Sequence, residues 1–327
     1  MDATRSGPET LLVVRKSFNA LDFIDTNSGR RSATVDIGVA PHEVSVAPDG
    51  RRAVVSNYGP PDRPGSTVRI VDIARVAETG VIDVTPYSRP HGVAWLSPSR
   101  IAVTVEGSPH LLIANVDEER VEAAIETGQE MSHMVVASAG HAYVANIRSG
   151  SLTVIDLSAA CKVADIPTGN GSEGLALTRD GREVWVCARA ENRIAVVDVE
   201  SRKIVASIET PQMPIRVAMS PDGLVAYVTC AAASALIAID IAERKIVARH
   251  QVDLPLAPDA ASRQFARLGP GTPLPIGLAV SARGDAIYLA ATMADKVEVL
   301  DPADLRVVRT FDVGGEPDGI AVSYAVA

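Results

Sequence analysis

Apolar and polar residues alternate along almost the whole chain, in short runs of period two broken by turn residues. Such runs, rich in Val, Ile and Thr, read as half-buried β-strands. They fall into units that can be set one under another: "PHEVSVAPDGRRAVVSN", "PHGVAWLSPSRIAVTVE", "MSHMVVASAGHAYVAN", "SEGLALTRDGREVWVCA", "PIRVAMSPDGLVAYVTC" and "PIGLAVSARGDAIYLAA". Each is followed by a third run ("STVRIVD", "RIAVVD", "LIAID") and a fourth ("KIVASIET", "RVVRTFDVG"). Gly181 to Gly223 and Asp198 to Asp240 are both 42 residues apart. Four short antiparallel strands per unit of that length are the sequence pattern of a propeller blade.

Six full units span residues 41–314, and a seventh is split. Residues 11–40 supply three of its strands, and 317–327 supply the missing first one. Joining the two chain ends removes the free sheet edges that invite aggregation. The expectation is an all-β, seven-bladed β-propeller forming one domain over residues 11–327, preceded by a flexible stretch at 1–10. Two loops exceed the repeat: "YGPPDRPGS" in the second blade and residues 254–274 before the seventh. Loops of that length in a compact domain are commonly functional, and the second reads as a lid.

Composition narrows the partners. A net charge of −9 and no Lys/Arg run argue against a nucleic-acid surface. No apolar stretch is long enough for a membrane helix, and the start "MDATRSGPETLLVVRKS" lacks a secretory pattern. Cys161, Cys187 and Cys230 form no C-x-x-C pair, which excludes a c-type haem motif and suits a reducing cytoplasm. Nucleotide-binding and nucleophile-elbow motifs are absent. Neither haem nor nucleotide is expected as a cofactor; one divalent metal ion is, on the histidines described below.

"YVAN" at 143–146, preceded by "GHA" and followed by "LTVID", resembles the YVTN-type β-propeller repeat. "VVSN", "WVCA", "YVTC" and "YLAA" are degraded versions of it in other units. The resemblance covers residues 11–327 and implies that the first strand of each unit is innermost. Its leading residues then line the mouth of the central channel. Members include cytochrome-like, lactonase-like and surface-layer propellers, so the fold alone does not name a chemistry.

Aligned on the turn glycines, the leading column reads His42, His91, Ser132, Glu173, Ile215, Ile276, Asp318. The next reads Glu43, Gly92, His133, Gly174, Arg216, Gly277, Gly319, which sets His133 one register off. The ends of the second strands add Arg15, Lys16, Tyr58, Glu106, Arg148 and Arg189, with Glu106 where the repeat prefers Asn. Imidazoles and a carboxylate converging on one axis suit a first-row divalent metal with open positions. His42, His91, His133 and Glu173 are the expected catalytic and metal-binding set. Arg15, Lys16, Tyr58, Glu106, Arg148, Arg189, Arg216 and Asp318 are expected to hold an anionic or carbonyl-containing small-molecule substrate.

Plainer readings stand beside this one. An imidazole in Pro-His-Gly can simply bond a backbone carbonyl and fix the loop. A His can act as general base without metal, oriented by Glu173 or Glu43. The strand-end aspartates Asp25, Asp72, Asp156, Asp198, Asp240 and Asp301 read as turn formers. Cys187, Cys230, Trp95 and Trp185 read as packing, and Cys161 as an outer turn. His110 reads as a mouth-loop residue, and His141 and His250 lie away from the mouth. Two functions follow: a metal-assisted lyase, isomerase or hydrolase at the mouth, or a non-catalytic scaffold that binds a ligand or a protein partner.

Overall fold

The structure, a computed structural model, describes residues 9–324. Seven four-stranded antiparallel sheets are arranged as the blades of one ring. Blade 1 joins residues 9–36 to the closing strand Pro317–Tyr324. Blades 2 to 7 follow as 41–83, 90–126, 132–167, 172–209, 214–251 and 275–312. The strand of blade 1 starts at Glu9, two residues before the sequence pattern suggests, because Glu9 pairs with Tyr324. Its buried carboxylate accepts bonds from Ser281 Oγ (3.0 Å) and the Ala282 amide (3.2 Å) of blade 7. The rest of the expected flexible start, residues 1–8, lies outside the described residues, as do 325–327. No helix among the described residues is long and apolar enough to cross a membrane.

The middle strands are mostly apolar on both faces because neighbouring blades cover both. Glu183–Ala188 is buried from its second residue onward, and Arg193–Asp198 at all but its two ends. Outer strands such as Lys203–Glu209 expose most positions. The core therefore lies between blades: Trp185, Cys187 and Val196 of blade 5 pack on Val217, Val228, Cys230 and Ile237 of blade 6. Burial raises the thiol pKa of both cysteines, Cys230 to about 12, so they serve as small apolar residues. Trp185 is fully buried in a core poor in aromatics. Trp185→Ala is expected to cost about 3–5 kcal/mol, read as a lower urea midpoint with an unchanged m-value.

The turn aspartates act as the sequence suggests. Asp25, Asp72, Asp198 and Asp240 each accept the amide of the residue three on, at 2.7–2.8 Å. Cys161 is exposed where an outer strand begins. His110 opens the third strand of blade 3 rather than lying in a loop, with its ring 5.1 Å from that of Tyr87.

Every innermost strand carries a one-residue bulge immediately after its first residue. Pro41 pairs with Asn57, for example, but Val44 with Val55. The same shift occurs in the other six blades. A bulge re-aims side chains, and here it does so at the channel. Where the third residue is glycine, its backbone abuts the next blade. A Cβ on Gly92 would meet the His133 carbonyl at 2.7 Å, and one on Gly174 the Ile215 carbonyl at 2.3 Å. Gly174→Ala is expected to cost about 1–3 kcal/mol by overpacking, measurable as a lower thermal midpoint.

Candidate functional site at the channel mouth

Register decides which side chains meet at the mouth. The second residue of each inner strand, after Pro41, Pro90, Ser132, Ser172, Pro214, Pro275 and Pro317, forms one column. It reads His42, His91, His133, Glu173, Ile215, Ile276, Asp318. His133 is thus in the same column as the other histidines, not one position off. The hairpin of blade 4 is shorter, with Ala137 pairing Ala142, whereas Val46 pairs Ala53. Alignment on the turn glycine therefore slips by one. Ser132, displaced from the column, bonds Asn146 Oδ1 instead.

The residue just past each second strand forms an upper ring: Lys16, Tyr58, Glu106, Ile147, Arg189, Ala231, Thr292. Glu106 is therefore the counterpart of Tyr58, and Val105 occupies the Asn position. Two expected mouth residues miss this ring by one place. Arg15 turns to Asp22 (3.3 Å) and the Gly314 carbonyl (3.4 Å). Arg148 is exposed and lines a groove beside the mouth.

A chain of ion pairs links the two rings. Asp318 Oδ2 lies 2.6 Å from His42 Nδ1 and 3.3 Å from Lys16 Nζ. Arg216 bonds Glu43, its own neighbour's carbonyl at Ile215 (3.0 Å), and lies 3.5 Å from Glu173. Arg189 donates to Glu173 at 2.6 Å. His133 Nδ1 contacts Glu106, and its Nε2 lies 3.3 Å from Glu173. Tyr58 donates to the other oxygen of Glu106 at 2.5 Å.

These contacts set the protonation states. Burial alone would raise the Glu173 carboxyl, but Arg189 and His133 bring it down to about 2. Asp318 is likewise held at about 2 against burial, by His42 and Lys16. Burial opposes a charged His133, yet Glu106 and Glu173 raise its pKa above the ordinary value. Tyr58 is raised by burial and by Glu106, so it stays a donor.

His91 is the exception in this network. It is fully buried, and neither ring nitrogen has a hydrogen-bond partner. Its ring centroid lies 3.6 Å from that of His133 and 4.3 Å from that of His42. Burial, then the charges of His133 and His42, push its pKa well below the ordinary value, leaving a neutral imidazole. The loop-fastener reading does not describe His91, since it holds no carbonyl. Among the described residues, His91 shares one group of possible ligand atoms with His42 and Glu43, and another with His133 and Glu106. Glu173 belongs to neither group; its carboxylate pairs with Arg189 and His133.

Apolar side chains complete the lining: Met131 and Ile147 next to the first two strands of blade 4, Ile215 and Ile276 of blades 6 and 7, and Phe265 and Leu268 from the long insert. The sequence pattern places Ile215 and Ile276 at the mouth and reads the insert as a lid, but it does not show Met131, Ile147, Phe265 or Leu268, whose positions depend on register and loop path. A larger groove of about 620 Å³ lies at the opposite strand ends of blades 5 and 6, lined by Arg179, Asp180, Asp222 and Arg244. Its arginines are tied to Glu183 and the Pro221 carbonyl, and no side-chain atom lining it is buried without a partner.

The fold has many solved counterparts. A functionally unknown protein from Desulfotomaculum acetoxidans superposes with a TM-score of 0.78 at 13% identity, covering 96% of this chain and 99% of that one. Hydrazine synthase of Kuenenia stuttgartiensis gives 0.69 at 19% identity, over 88% of this chain and 96% of that one. The dihydro-heme d1 dehydrogenase NirN, in complex with DHE, gives 0.67 at 15% identity, over 95% and 74%. At these identities the likeness is one of fold. No curated protein matches the sequence. The YNCE-like beta-propeller family model matches residues 97–261, half of the chain. The resemblance in the repeats, the seven four-stranded blades and this match agree: the chain belongs to the YNCE-like β-propeller family.

Proposed function

We propose that the channel mouth is the active site of a metal-assisted lyase, isomerase or hydrolase acting on a small carbonyl-containing substrate. The observation that carries this reading is His91, a neutral, fully buried imidazole with both nitrogens unpartnered. Burying polar atoms without partners is costly, and evolution tolerates it mainly where a ligand supplies the partner.

Two further features favour a cation as that ligand. His42 and His133 are each backed by a carboxylate at Nδ1, Asp318 and Glu106, the arrangement that orients metal-binding histidines. Glu43, Glu106, Glu173 and Asp318 outnumber Lys16, Arg189 and Arg216 by one negative charge, which His133, its pKa raised by Glu106 and Glu173, balances and which a bound cation would balance in its place. The ion would be held by His91 with His42 and Glu43, or by His91 with His133 and Glu106, in place of the expected set that included Glu173. A divalent ion there supplies Lewis acidity toward a carbonyl or lowers the pKa of water. The protein's own groups orient the substrate: Tyr58 offers a proton donor, and Ile215, Ile276 and Phe265 take its apolar side.

Of the two substrate classes, the carbonyl is favoured over the anion. Lys16, Arg189 and Arg216 are already committed to carboxylates, so no buried guanidinium is left to grip one more. A protein-binding scaffold is favoured only by exposed Ile204, Val205, Ile246 and Val247 on the outer strands of blades 5 and 6. Thermal unfolding with added Mn²⁺, Co²⁺, Ni²⁺ or Zn²⁺ separates the two. An ion that binds only the folded state stabilises it by about 2.7 kcal/mol at a hundredfold excess over Kd. The midpoint should rise in the unaltered protein and not in His91→Ala; equal responses in both would refute the metal-assisted site.

A further inference from the structure

The insert between Lys245–Gln251 and Pro275–Val280 is firmly seated rather than loosely draped. The Ala257 amide bonds the Met293 carbonyl at 2.8 Å. Ala260 and Leu274 are buried in a cluster with Ile215, Ile276 and Met293. The Arg263 side chain, only 6% exposed, donates to both Asp295 oxygens (2.7 and 2.8 Å), to Asp259 (2.7 Å) and to the Thr292 carbonyl (3.1 Å). Two one-turn helical segments, Ala260–Ser262 and Gln264–Arg267, flank this clasp.

The clasp puts the Phe265 ring 4.3 Å from the Lys16 ammonium and 5.9 Å from the His42 ring. With Gln264 and Leu268 it completes a pocket of about 120 Å³ over the three histidines. A cavity of about 150 Å³ in another protein holds one benzene molecule. The space here therefore admits a molecule of roughly five non-hydrogen atoms by the same measure.

We infer that residues 252–274 form a fitted cap that limits the substrate by size, with Phe265 as the specificity-determining residue and Arg263 as the residue that positions it. The substrate class that fits is a compact carbonyl compound, its polar end toward His91 and its apolar side against Phe265 and Leu268. The identity of that substrate rests on the function proposed above, whereas the cap itself does not.

Carbethoxylation by diethyl pyrocarbonate, mapped by mass spectrometry on chelator-treated protein, tests the cap without metal or activity. His91 is fully buried with neither ring nitrogen hydrogen-bonded, so restricted access should slow its reaction. It should react roughly tenfold more slowly than half-buried His141, because reagent must wait for local opening. Phe265→Ala, and independently Arg263→Ala, should remove most of that protection while leaving His141 unchanged. If either variant fails to fold, as judged by its thermal transition, Leu268→Ala takes its place. A His91 that reacts as fast as His141 in the unaltered protein, or stays equally protected in the folded variants, would overturn the cap. A negative metal result would leave this outcome untouched, and failure of the cap would leave metal binding untouched.

Discussion

A chain shortened to end at Gly315 is expected to lose cooperative folding. The deletion removes Pro317–Tyr324, which hydrogen-bonds along Glu9–Arg15 and supplies the innermost strand of blade 1. It strips Ile320 and Val322 from the cluster they share with Leu11, Val13, Tyr288 and Phe311. Two such aliphatic side chains are worth about 1.5–3 kcal/mol each when fully buried. More is lost than these contacts. Glu9–Arg15 becomes an open, apolar strand edge facing the channel, a template for association with other chains. Lys16 and His42 lose the buried carboxylate of Asp318. Against a typical stability of about 5–15 kcal/mol, the sum leaves little native state. Urea titration followed by tryptophan fluorescence should show a broad transition or none, and gel filtration should show aggregates. A sharp transition near that of the full chain would mean that the last strand does not close the ring.

The second large effect is expected at Arg216. Its guanidinium is enclosed, with Glu43 and Glu173 as partners, and these carboxylates hold its proton more tightly than usual against the pull of burial. Arg216→Met should destabilise by about 3–5 kcal/mol, because it leaves buried carboxylate charge without its partner. Adding Glu43→Gln should recover part of that loss, since the orphaned charge goes with it. Arg148→Met, at an exposed position, should change stability by no more than about 0.5 kcal/mol. Urea midpoints for the four proteins give the comparison. If Arg216→Met were as mild as Arg148→Met, the ion-pair chain would not be a structural element, and Arg216 would again be open as a substrate ligand.

Much of the fold was legible because it is written in local rules repeated many times. Alternation, turn residues and the 42-residue spacing each point to the same four-stranded unit. The identity of the channel column was legible too: alignment on the turn glycines puts His42, His91, Glu173, Ile215, Ile276 and Asp318 in one column, and the inner strands place them there. His133, Arg15 and Arg148 were each misplaced by one. The reason is geometric. A hairpin two residues shorter in blade 4 and a bulge in every inner strand shift register without altering the alternating pattern. The glycine alignment counts residues and cannot count backbone pairings. The commitment of Lys16, Arg189 and Arg216 to carboxylates was hidden for a related reason. The partner of Lys16 comes from the far end of the chain, that of Arg189 lies across a hairpin and those of Arg216 on other blades, so the pairings follow from the closed ring and not from the local pattern.

His91 condenses the functional claim into one side chain, so its ligand is the thing to measure. The direct test is the metal content of tag-free protein, by inductively coupled plasma mass spectrometry, beside that of His91→Ala. Close to one first-row divalent ion per chain, retained through dialysis and lost from a His91→Ala protein that still melts cooperatively, is the predicted result. Neither protein holding metal after incubation with each candidate ion and dialysis would contradict it.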